Sequence, residues 1–397
     1  MLGEYVAGHA HRDLARLGDE LPFWTSSLPE LNARGTRLGT ELSHWLDHSR
    51  FANEPTKSGH KALMASSRSK EAFVRKSRVE AARARAAWVR GYALSDLRDT
   101  PVSSAGLFDD WGTPRLSPEE SAPWNGLACL FPIPRRKLLH RVVEIDPFNH
   151  FEGVVRLSLG LHTETSQRGA LWWRIVDETG RTVARGAGQD RSVNGAGEIG
   201  TVTWSQAVAG SYRLEVGFGA TENAWDLWVV KRPAWKEFEE WRTEDPKDED
   251  RPPFLGEGGH IVAFHRLPES AGGVLFLEDG DVGTTSSTFW EGSALEFRAD
   301  AFWQSVPFGE RWQRLLSVSP NAELDAPWLQ STFGEYQTFL NRVDTSPYGL
   351  AQECPILVRA GNWIVTTLRP EAIGSLGDSP AGSTLVASLM ESAYPSG

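Results

Sequence analysis

A charged loop that follows a short half-apolar run has the residue types best suited to chemistry. The run contains Tyr92, Leu94 and Leu97, and the loop ends at the segment Phe108-Asp109-Asp110-Trp111-Gly112. Its carboxylates can accept hydrogen bonds, its arginine can donate them, and its tryptophan can stack on an apolar ligand face. A solvated turn is an equally good interpretation, in which the charges pair with one another and the tryptophan packs beneath them. The candidate residues are Tyr92, Asp96, Arg98, Asp99, Asp109, Asp110 and Trp111.

A long basic helix precedes this loop. Apolar residues at helical spacing predict a helix over 60–90, and Gly91 is a suitable residue to end it. The order helix, strand, acidic loop is typical of the last strand of a (β/α)8 barrel, since such barrels carry their chemistry at the C-terminal ends of strands. The only other strand candidate in this region is at Tyr5-Val6, and two strands cannot close a barrel. Residues 1–132 are therefore predicted to be a helical remnant of the C-terminal part of a TIM barrel. The cations of the helix are expected to form a solvated face: Lys70, Arg75, Lys76, Arg78, Arg83, Arg85 and Arg90.

Short alternating strands follow. Turn residues separate seven strand candidates over 133–232, which predicts an immunoglobulin-like β-sandwich. Trp225 and Trp228 should lie on opposite faces of the last strand, with at least one in the core. The seven candidates are 140–146, 152–161, 169–177, 181–185, 198–204, 210–216 and 224–230.

The remainder of the chain is a charged linker over 233–254 and a domain over 255–397 in which strands and helices alternate, with a short helix expected at 264–269 and a terminal helix near 384–393. Uniformly apolar strands predict an open, flavodoxin-like α/β layer, with a parallel-type strand at 272–277. The loop after this strand has no phosphate-binding glycine pattern, and no G-x-S-x-G elbow is present. We expect this domain to be structural or to bind a ligand.

Composition excludes several function classes. The net charge of −11 and the lack of a basic stripe beyond the helix argue against nucleic acid as a partner. No apolar run is long enough for a membrane span, and the N-terminus has no signal-peptide pattern, so a cytoplasmic location is the default expectation. Cys129 and Cys354 are expected to be free thiols, although one long-range bridge stays open. Two histidine pairs, His9/His11 and His260/His265, lack the acidic partners of a hydrolytic metal site, so no metal is expected.

Motifs in series along nearly the whole chain resemble one family. The segments Leu2-Gly3-Glu4-Tyr5, Gly91-Tyr92 and Leu97-Arg98-Asp99-Thr100-Pro101 resemble the end of a catalytic barrel. Asn223-Ala224-Trp225-Asp226 resembles the last strand of the sandwich that follows it, and Trp363-Ile364-Val365-Thr366 a degenerate glutamine-amidotransferase-like domain. The family is that of bacterial glycoside hydrolases related to family 2, the β-galactosidase-like proteins.

This resemblance implies a retaining glycosidase with no cofactor. Glu4 stands where the nucleophile at the end of the seventh strand would be, and the charged loop would bind sugar hydroxyls. Retaining hydrolysis needs a second carboxylate about 5–5.5 Å away as the acid. That residue would come from a fourth strand, which this chain lacks. The resemblance therefore implies the C-terminal portion of a β-galactosidase-like enzyme that is inactive as an isolated chain.

Two alternatives stay open. The chain can be a non-catalytic carbohydrate-binding or scaffold protein, in which tryptophans bind glycans. It can also be an assembly module that completes a barrel supplied by another polypeptide or by a second copy of the chain. Carbohydrate is the expected ligand both for the hydrolase and for the carbohydrate-binding protein.

Overall fold

The structure of the chain is a computed structural model. The described residues are 2–7, 10–13, 16, 20, 22, 58–89, 91–100, 103–133, 147–233, 241–242, 262–263, 273–277, 280, 283–286, 293–298, 300–308, 311–312, 315, 322–344, 353–361, 363–368 and 379–393.

The chain divides into two compact units, each assembled from separated segments. The first contains Met1–His9, Arg68–Thr100 and Ser104–Arg232. The second contains Ala10–Ser67, Pro101–Ser103 and Pro233–Gly397. The three consecutive domains and the linker expected from the sequence remain a prediction.

The N-terminal elements form a parallel strand pair with a helix between its strands in sequence. β1 (Leu2–Ala7) pairs with β2 (Tyr92–Ser95), and α1 (Ser58–Ala84) lies between them in sequence. Val6 is opposite Leu94 and Ala7 opposite Ser95, so both strands end at the same edge. Both strand candidates are confirmed. The helix ends six residues before the expected Arg90, because residues 85–88 form turns.

A six-stranded sheet forms the rest of the first unit. Its strands, in the order in which they pair, are 128–132, 153–177, 210–218, 221–230 and 149–151, and a further strand, 182–207, pairs with 153–177. Four predicted strands merge into two long ones: 152–161 and 169–177 form β5 (Gly153–Asp177), and 181–185 and 198–204 form β6 (Thr182–Ala207). They merge because the ladder between β5 and β6 continues through local register shifts instead of ending at them. The helix before the sheet is α2 (Pro118–Asn125), and the strands are β3 (Ala128–Pro132), β4 (Asn149–Phe151), β5 (Gly153–Asp177), β6 (Thr182–Ala207), β7 (Gly210–Phe218) and β8 (Thr221–Val230). The first predicted strand, 140–146, lies outside the described residues.

The long β5–β6 hairpin bends back on itself. Trp204 is paired with Val155 at the start of β5, whereas Tyr212 is paired with Asp177 at its end. The Trp204 and Tyr212 rings nevertheless lie 4.9 Å apart, edge to face. A straight strand would separate Val155 from Asp177, and with them the two rings, by about 73 Å. Both halves of the hairpin therefore face one apolar core, which also holds Trp225.

Trp225 and Trp228 differ in burial as expected. Trp225 is buried and stacks on Phe148, with ring centroids 5.3 Å apart. Trp228 is only half-buried. At least one of the two was predicted to belong to the core, and this prediction is confirmed.

The second unit contains a five-stranded mixed sheet. Its order is β11 (Gly273–Phe276), β17 (Trp363–Thr366), β16 (Glu353–Ala360), β15 (Gln337–Asp344) and β13 (Ser293–Phe297), and only the β11–β17 pair is parallel. The sequence predicted a parallel layer because residues such as those of β17 are apolar throughout. That pattern reports burial on both faces and not strand direction. The turn at Gly361, which has a φ of 60°, joins β16 to β17 as an antiparallel hairpin.

The elements of the second unit are short. The strands are β9 (Trp241–Arg242), β10 (Val262–Ala263), β11 (Gly273–Phe276), β12 (Thr284–Ser286), β13 (Ser293–Phe297), β14 (Ala322–Leu324), β15 (Gln337–Asp344), β16 (Glu353–Ala360) and β17 (Trp363–Thr366). The helices are α3 (Asp300–Ser305), α4 (Ala326–Phe333) and α5 (Pro380–Ala393). The helix expected near residue 384 is confirmed, whereas the one expected at 264–269 lies outside the described residues. None of the described helices is long and apolar enough to cross a membrane.

The bend of the hairpin makes a prediction about energetic coupling. In a double-mutant cycle of Trp204→Ala and Tyr212→Ala, we expect a coupling free energy of about 0.5–1.5 kcal/mol, since the rings are in contact. Chemical denaturation measures the free energy of unfolding of each variant. The control cycle pairs Tyr212→Ala with Trp88→Ala, because Trp88 is 86% exposed. Equal coupling in the two cycles would contradict the bend.

Candidate functional site

A buried cluster of arginines and carboxylates holds the charged loop. Asp99 is fully buried; its Oδ2 bonds Arg115 Nη2, and its Oδ1 accepts a hydrogen bond from Gly106 N at 2.8 Å. Arg115 Nη1 also donates to Ser104 O at 2.6 Å and to Glu71 Oε2 at 3.3 Å. The Asp99 carboxylate is thus enclosed by its own loop and by α1.

Arg75 completes this cluster from the helix. Its Nε donates to Glu71 Oε1 at 3.0 Å, and its Nη1 donates to Ser95 O at 3.3 Å. Its Nη2 bonds Ala105 O on the other side of the loop. We call Glu71, Arg75, Asp99 and Arg115 the arginine–carboxylate brace.

The brace corrects the expectation of a solvated basic face on the helix. Lys70, Arg75 and Arg83 are all buried. Arg75 is kept inside the protein because the Glu71 carboxylate and the carbonyls of Ser95 and Ala105 reach it, and Arg83 because His162 and Tyr92 do. Burying such cations without these partners would be strongly unfavourable.

Two further loop carboxylates are also inside the fold. Asp109 is buried, and its Oδ1 accepts hydrogen bonds from Trp111 N at 3.0 Å and Thr113 N at 2.8 Å. Asp110 is buried as well. Asp109 therefore shapes the tight turn that carries Trp111, as Asp side chains commonly do in turns.

The remaining candidates lie nearer to solvent. Arg98 is exposed, and Asp96 and Trp111 are half-buried. Tyr92 is half-buried, and its hydroxyl donates to Asn125 Oδ1 at 2.7 Å. The backbone places Glu4 in the middle of β1, and its side chain lies outside the described residues. A role in sugar binding or catalysis stays a prediction for each candidate.

A second polar cluster lies between α1 and β8, and sequence reasoning missed it. Glu80 Oε1 accepts hydrogen bonds from Asn223 Nδ2 at 2.9 Å and Trp225 Nε1 at 3.0 Å. Lys76 Nζ donates to Asn223 Oδ1 at 2.8 Å and to Ala224 O at 2.5 Å. Burial lowers the pKa of Lys76, which Glu80, 3.8 Å away, partly opposes. The only sequence signal is the i, i+4 spacing of Lys76 and Glu80, which is as typical of a surface pair.

One helical turn further, Arg83 joins the helix to two other elements. Its Nη1 lies 3.0 Å from His162 Nδ1 on β5, and its Nη2 donates to Tyr92 OH at 3.3 Å. Burial, and then the Arg83 charge, lower the pKa of His162, whereas Glu164 raises it. A neutral imidazole that accepts at Nδ1 fits this position.

Within the described residues, the cysteines and potential metal ligands are dispersed. Cys129 and Cys354 form no disulfide bond, as expected. Burial raises the pKa of the Cys129 thiol, which disfavours the nucleophilic thiolate. In the described part of the chain, no group of three or more His, Cys, Asp or Glu side chains could hold a metal ion.

Comparisons with known proteins give only limited likenesses. No protein-family model matches this chain, and no curated protein sequence matches it. Among solved structures it is similar to the β-glucosidase from Listeria innocua in complex with isofagomine, with a TM-score of 0.18 and 12% identity. The glucose and gluconolactone complexes of that enzyme each give a TM-score of 0.17 and 14% identity. Each of the three matches covers 26% of this chain and 16% of the other.

Asp99→Asn tests the brace. We expect the free energy of unfolding to fall by about 1.5–3 kcal/mol, because the buried Arg115 loses one of its two carboxylate partners and keeps only Glu71. The matched control is Asp190→Asn, since the Asp190–Arg168 pair is solvent-exposed; it should change stability by less than about 1 kcal/mol. Chemical denaturation measures both, and equal losses would contradict the role of the brace.

His162 makes a prediction about pH. Its pKa in the folded state is below the ordinary value of 6.5, so the unfolded chain binds more protons between these two values. The free energy of unfolding therefore rises with pH across this window and falls on acidification below about 6.5. In His162→Gln this part of the pH dependence should be absent. Thermal unfolding of both proteins between pH 5 and 8 measures it, and identical profiles would refute the assignment.

Proposed function

We propose that this chain is the C-terminal portion of a retaining glycoside hydrolase that cleaves an O-glycosidic bond, β-galactosidase-like in its sequence motifs. The observation that carries the proposal is the parallel pairing of β1 with β2, which brings the C-terminal ends of two strands to one edge. β1 carries Glu4 three residues before its C-terminal end at Ala7, within the strand and not at the end that the sequence predicted, and the charged loop begins directly after β2. This arrangement is that of two consecutive barrel strands, whose chemistry lies at that edge.

The brace supports the same proposal by fixing the loop. Because Arg75 and Arg115 hold Ser95 O, Ala105 O and Asp99, the loop backbone between β2 and Pro114 is tied to α1. A rigid loop keeps Asp96, Arg98 and Trp111 in place for sugar hydroxyls and ring faces, which is what a binding site requires.

In the proposed mechanism, Glu4 attacks the anomeric carbon and forms a glycosyl-enzyme intermediate. The leaving oxygen takes its proton from a second carboxylate on a further barrel strand, which the described residues do not include. Water then releases the sugar, with that second residue as the base. We therefore propose that the chain is inactive unless the other strands are supplied in the same or another polypeptide.

The finer domain assignments are part of the proposal. We propose that the sheet of 133–232 is immunoglobulin-like, supported by the bend of the β5–β6 hairpin around one apolar core, which the Trp204–Tyr212 contact indicates. We also propose that 255–397 is a degenerate glutamine-amidotransferase-like domain, supported by its sequence motifs and by the parallel β11–β17 pair.

Covalent trapping tests the function. In the complete reading frame that encodes this chain, a 2-deoxy-2-fluoro aryl β-glycoside should label the peptide that contains Glu4, as measured by mass spectrometry. Glu4→Gln should abolish the label and lower kcat by at least about 10³-fold, because the intermediate cannot form.

The control variant is Glu20→Gln, whose carboxylate is exposed and paired with Arg16. It should keep both activity and label. Hydrolysis with the label on another residue would reject Glu4, and absence of hydrolysis in the complete protein would reject the enzyme and favour a carbohydrate-binding protein.

A further inference from the structure

The outward face of the six-stranded sheet carries a cleft that the proposed hydrolase site does not use. Along β5, Leu171, Trp173 and Ile175 are buried, so Trp172 and Arg174 project from the opposite face. Each has a cross-strand neighbour on β7: Trp172 is opposite Gly217, and Arg174 is opposite Glu215. Glu222 of β8 continues the first of these rows from Gly217.

α2 forms the other wall of the cleft. The volume is about 720 Å³, within the range of small-ligand sites. Glu119, Glu120, Pro123 and Trp124 line it from the helix side. A capping box at Ser117 holds the start of the helix, since Glu120 N donates to Ser117 Oγ and Ser117 N to Glu120 Oε2. All lining residues belong to the first unit.

Trp172 has the geometry of a stacking platform. A Cβ built on Gly217 would lie 2.2 Å from Trp172 Nε1 and 2.3 Å from its Cε2, so the indole packs directly against the glycine backbone. The indole is half-buried and lines the cleft. Only glycine at position 217 lets the ring lie this close to the strand, and the supported ring then offers apolar surface to a ligand. Such rings pack well on the C–H face of a sugar.

The charges around Trp172 indicate which ligand fits. Glu215 accepts from Arg174 Nε at 2.6 Å and lies 3.7 Å from Arg213 Nε. The whole lining carries three cations and four carboxylates: Lys76, Arg174, Arg213, Glu119, Glu120, Glu215 and Glu222. Donors and acceptors thus alternate without an excess of positive charge. Neutral hydroxyls can use both kinds of group, whereas a phosphate or carboxylate ligand would meet the acidic side chains.

We infer that this cleft binds a neutral carbohydrate, with Trp172 stacking on a pyranose ring and with Arg174, Arg213 and Glu222 bonding its hydroxyls. The site belongs to the sheet and α2, not to the loop after β2. Binding here is independent of whether the proposed hydrolysis occurs. In a glycosidase it would hold a polymeric substrate near the enzyme, and in a non-catalytic protein it would be the function itself.

Affinity electrophoresis of the full chain tests this inference. The probes are four neutral polymers (barley β-glucan, xylan, galactan and galactomannan) and the anionic polygalacturonate. We expect at least one neutral polymer to retard the protein, and Trp172→Ala to weaken that binding about tenfold or more. Glu222→Gln, an exposed position, should also weaken it and provides a variant without loss of packing.

Trp88→Ala is the matched control, because it removes an exposed tryptophan that does not line the cleft. It should bind as tightly as the unaltered protein. Three results would overturn the inference: only polygalacturonate retards the protein, no polymer retards it, or Trp172→Ala and Trp88→Ala weaken the retardation equally. Thermal unfolding of Trp172→Ala separates lost binding from lost folding. If it is unfolded, the result for Glu222→Gln decides. Because this experiment measures binding, the cleft can fail to bind carbohydrate while covalent labelling of Glu4 succeeds, and labelling can fail while the cleft binds carbohydrate.

Discussion

The first unit depends on one buried carboxylate. Glu80 on α1 accepts hydrogen bonds from Asn223 and Trp225 on β8, and Lys76 balances its charge. A buried carboxylate without such partners costs several kcal/mol, so the helix has one favourable position on the sheet. With that position fixed, Arg75 and Arg83 on neighbouring turns reach the loop after β2 and the His162 imidazole.

Local patterns in the sequence predicted local structure well. Apolar spacing and a suitable stop signal gave α1, and short β-type runs gave β1 and β2. What they did not give is the burial of Arg75 and Arg83. Both cations have the spacing of a solvated face, and their partners Ser95, Ala105 and His162 are 20 to 79 residues away in the chain. Contacts at that separation leave no periodic signal.

The candidate loop illustrates the same limit at the level of function. The sequence identified the correct segment as a charged turn at a strand end. It could not divide the carboxylates by role, because Asp99 and Asp96 look alike in the sequence, which does not show the buried pair of Asp99 with Arg115. In the second unit the parallel strand expected at 272–277 is confirmed, because β11 pairs in parallel with β17. The antiparallel pairs of the same sheet were not foreseen, since burial on both faces makes a strand such as β17 mostly apolar whichever way its neighbour β16 runs. The two-residue connection at Gly361 was the better guide.

The interlocking of α1 with β8 bears on how this protein can be divided. Glu80 and Trp225 are 145 residues apart in sequence, yet they share a hydrogen bond. A fragment cut near residue 133 would keep the whole long hairpin but lose β3, the edge strand that covers the first half of β5. It would also strip the helix from Asn223. The sheet is therefore not an excisable module: any shortened or chimeric version has to carry α1 with it, or replace the charged, hydrogen-bonded cover that Glu80 and Lys76 provide.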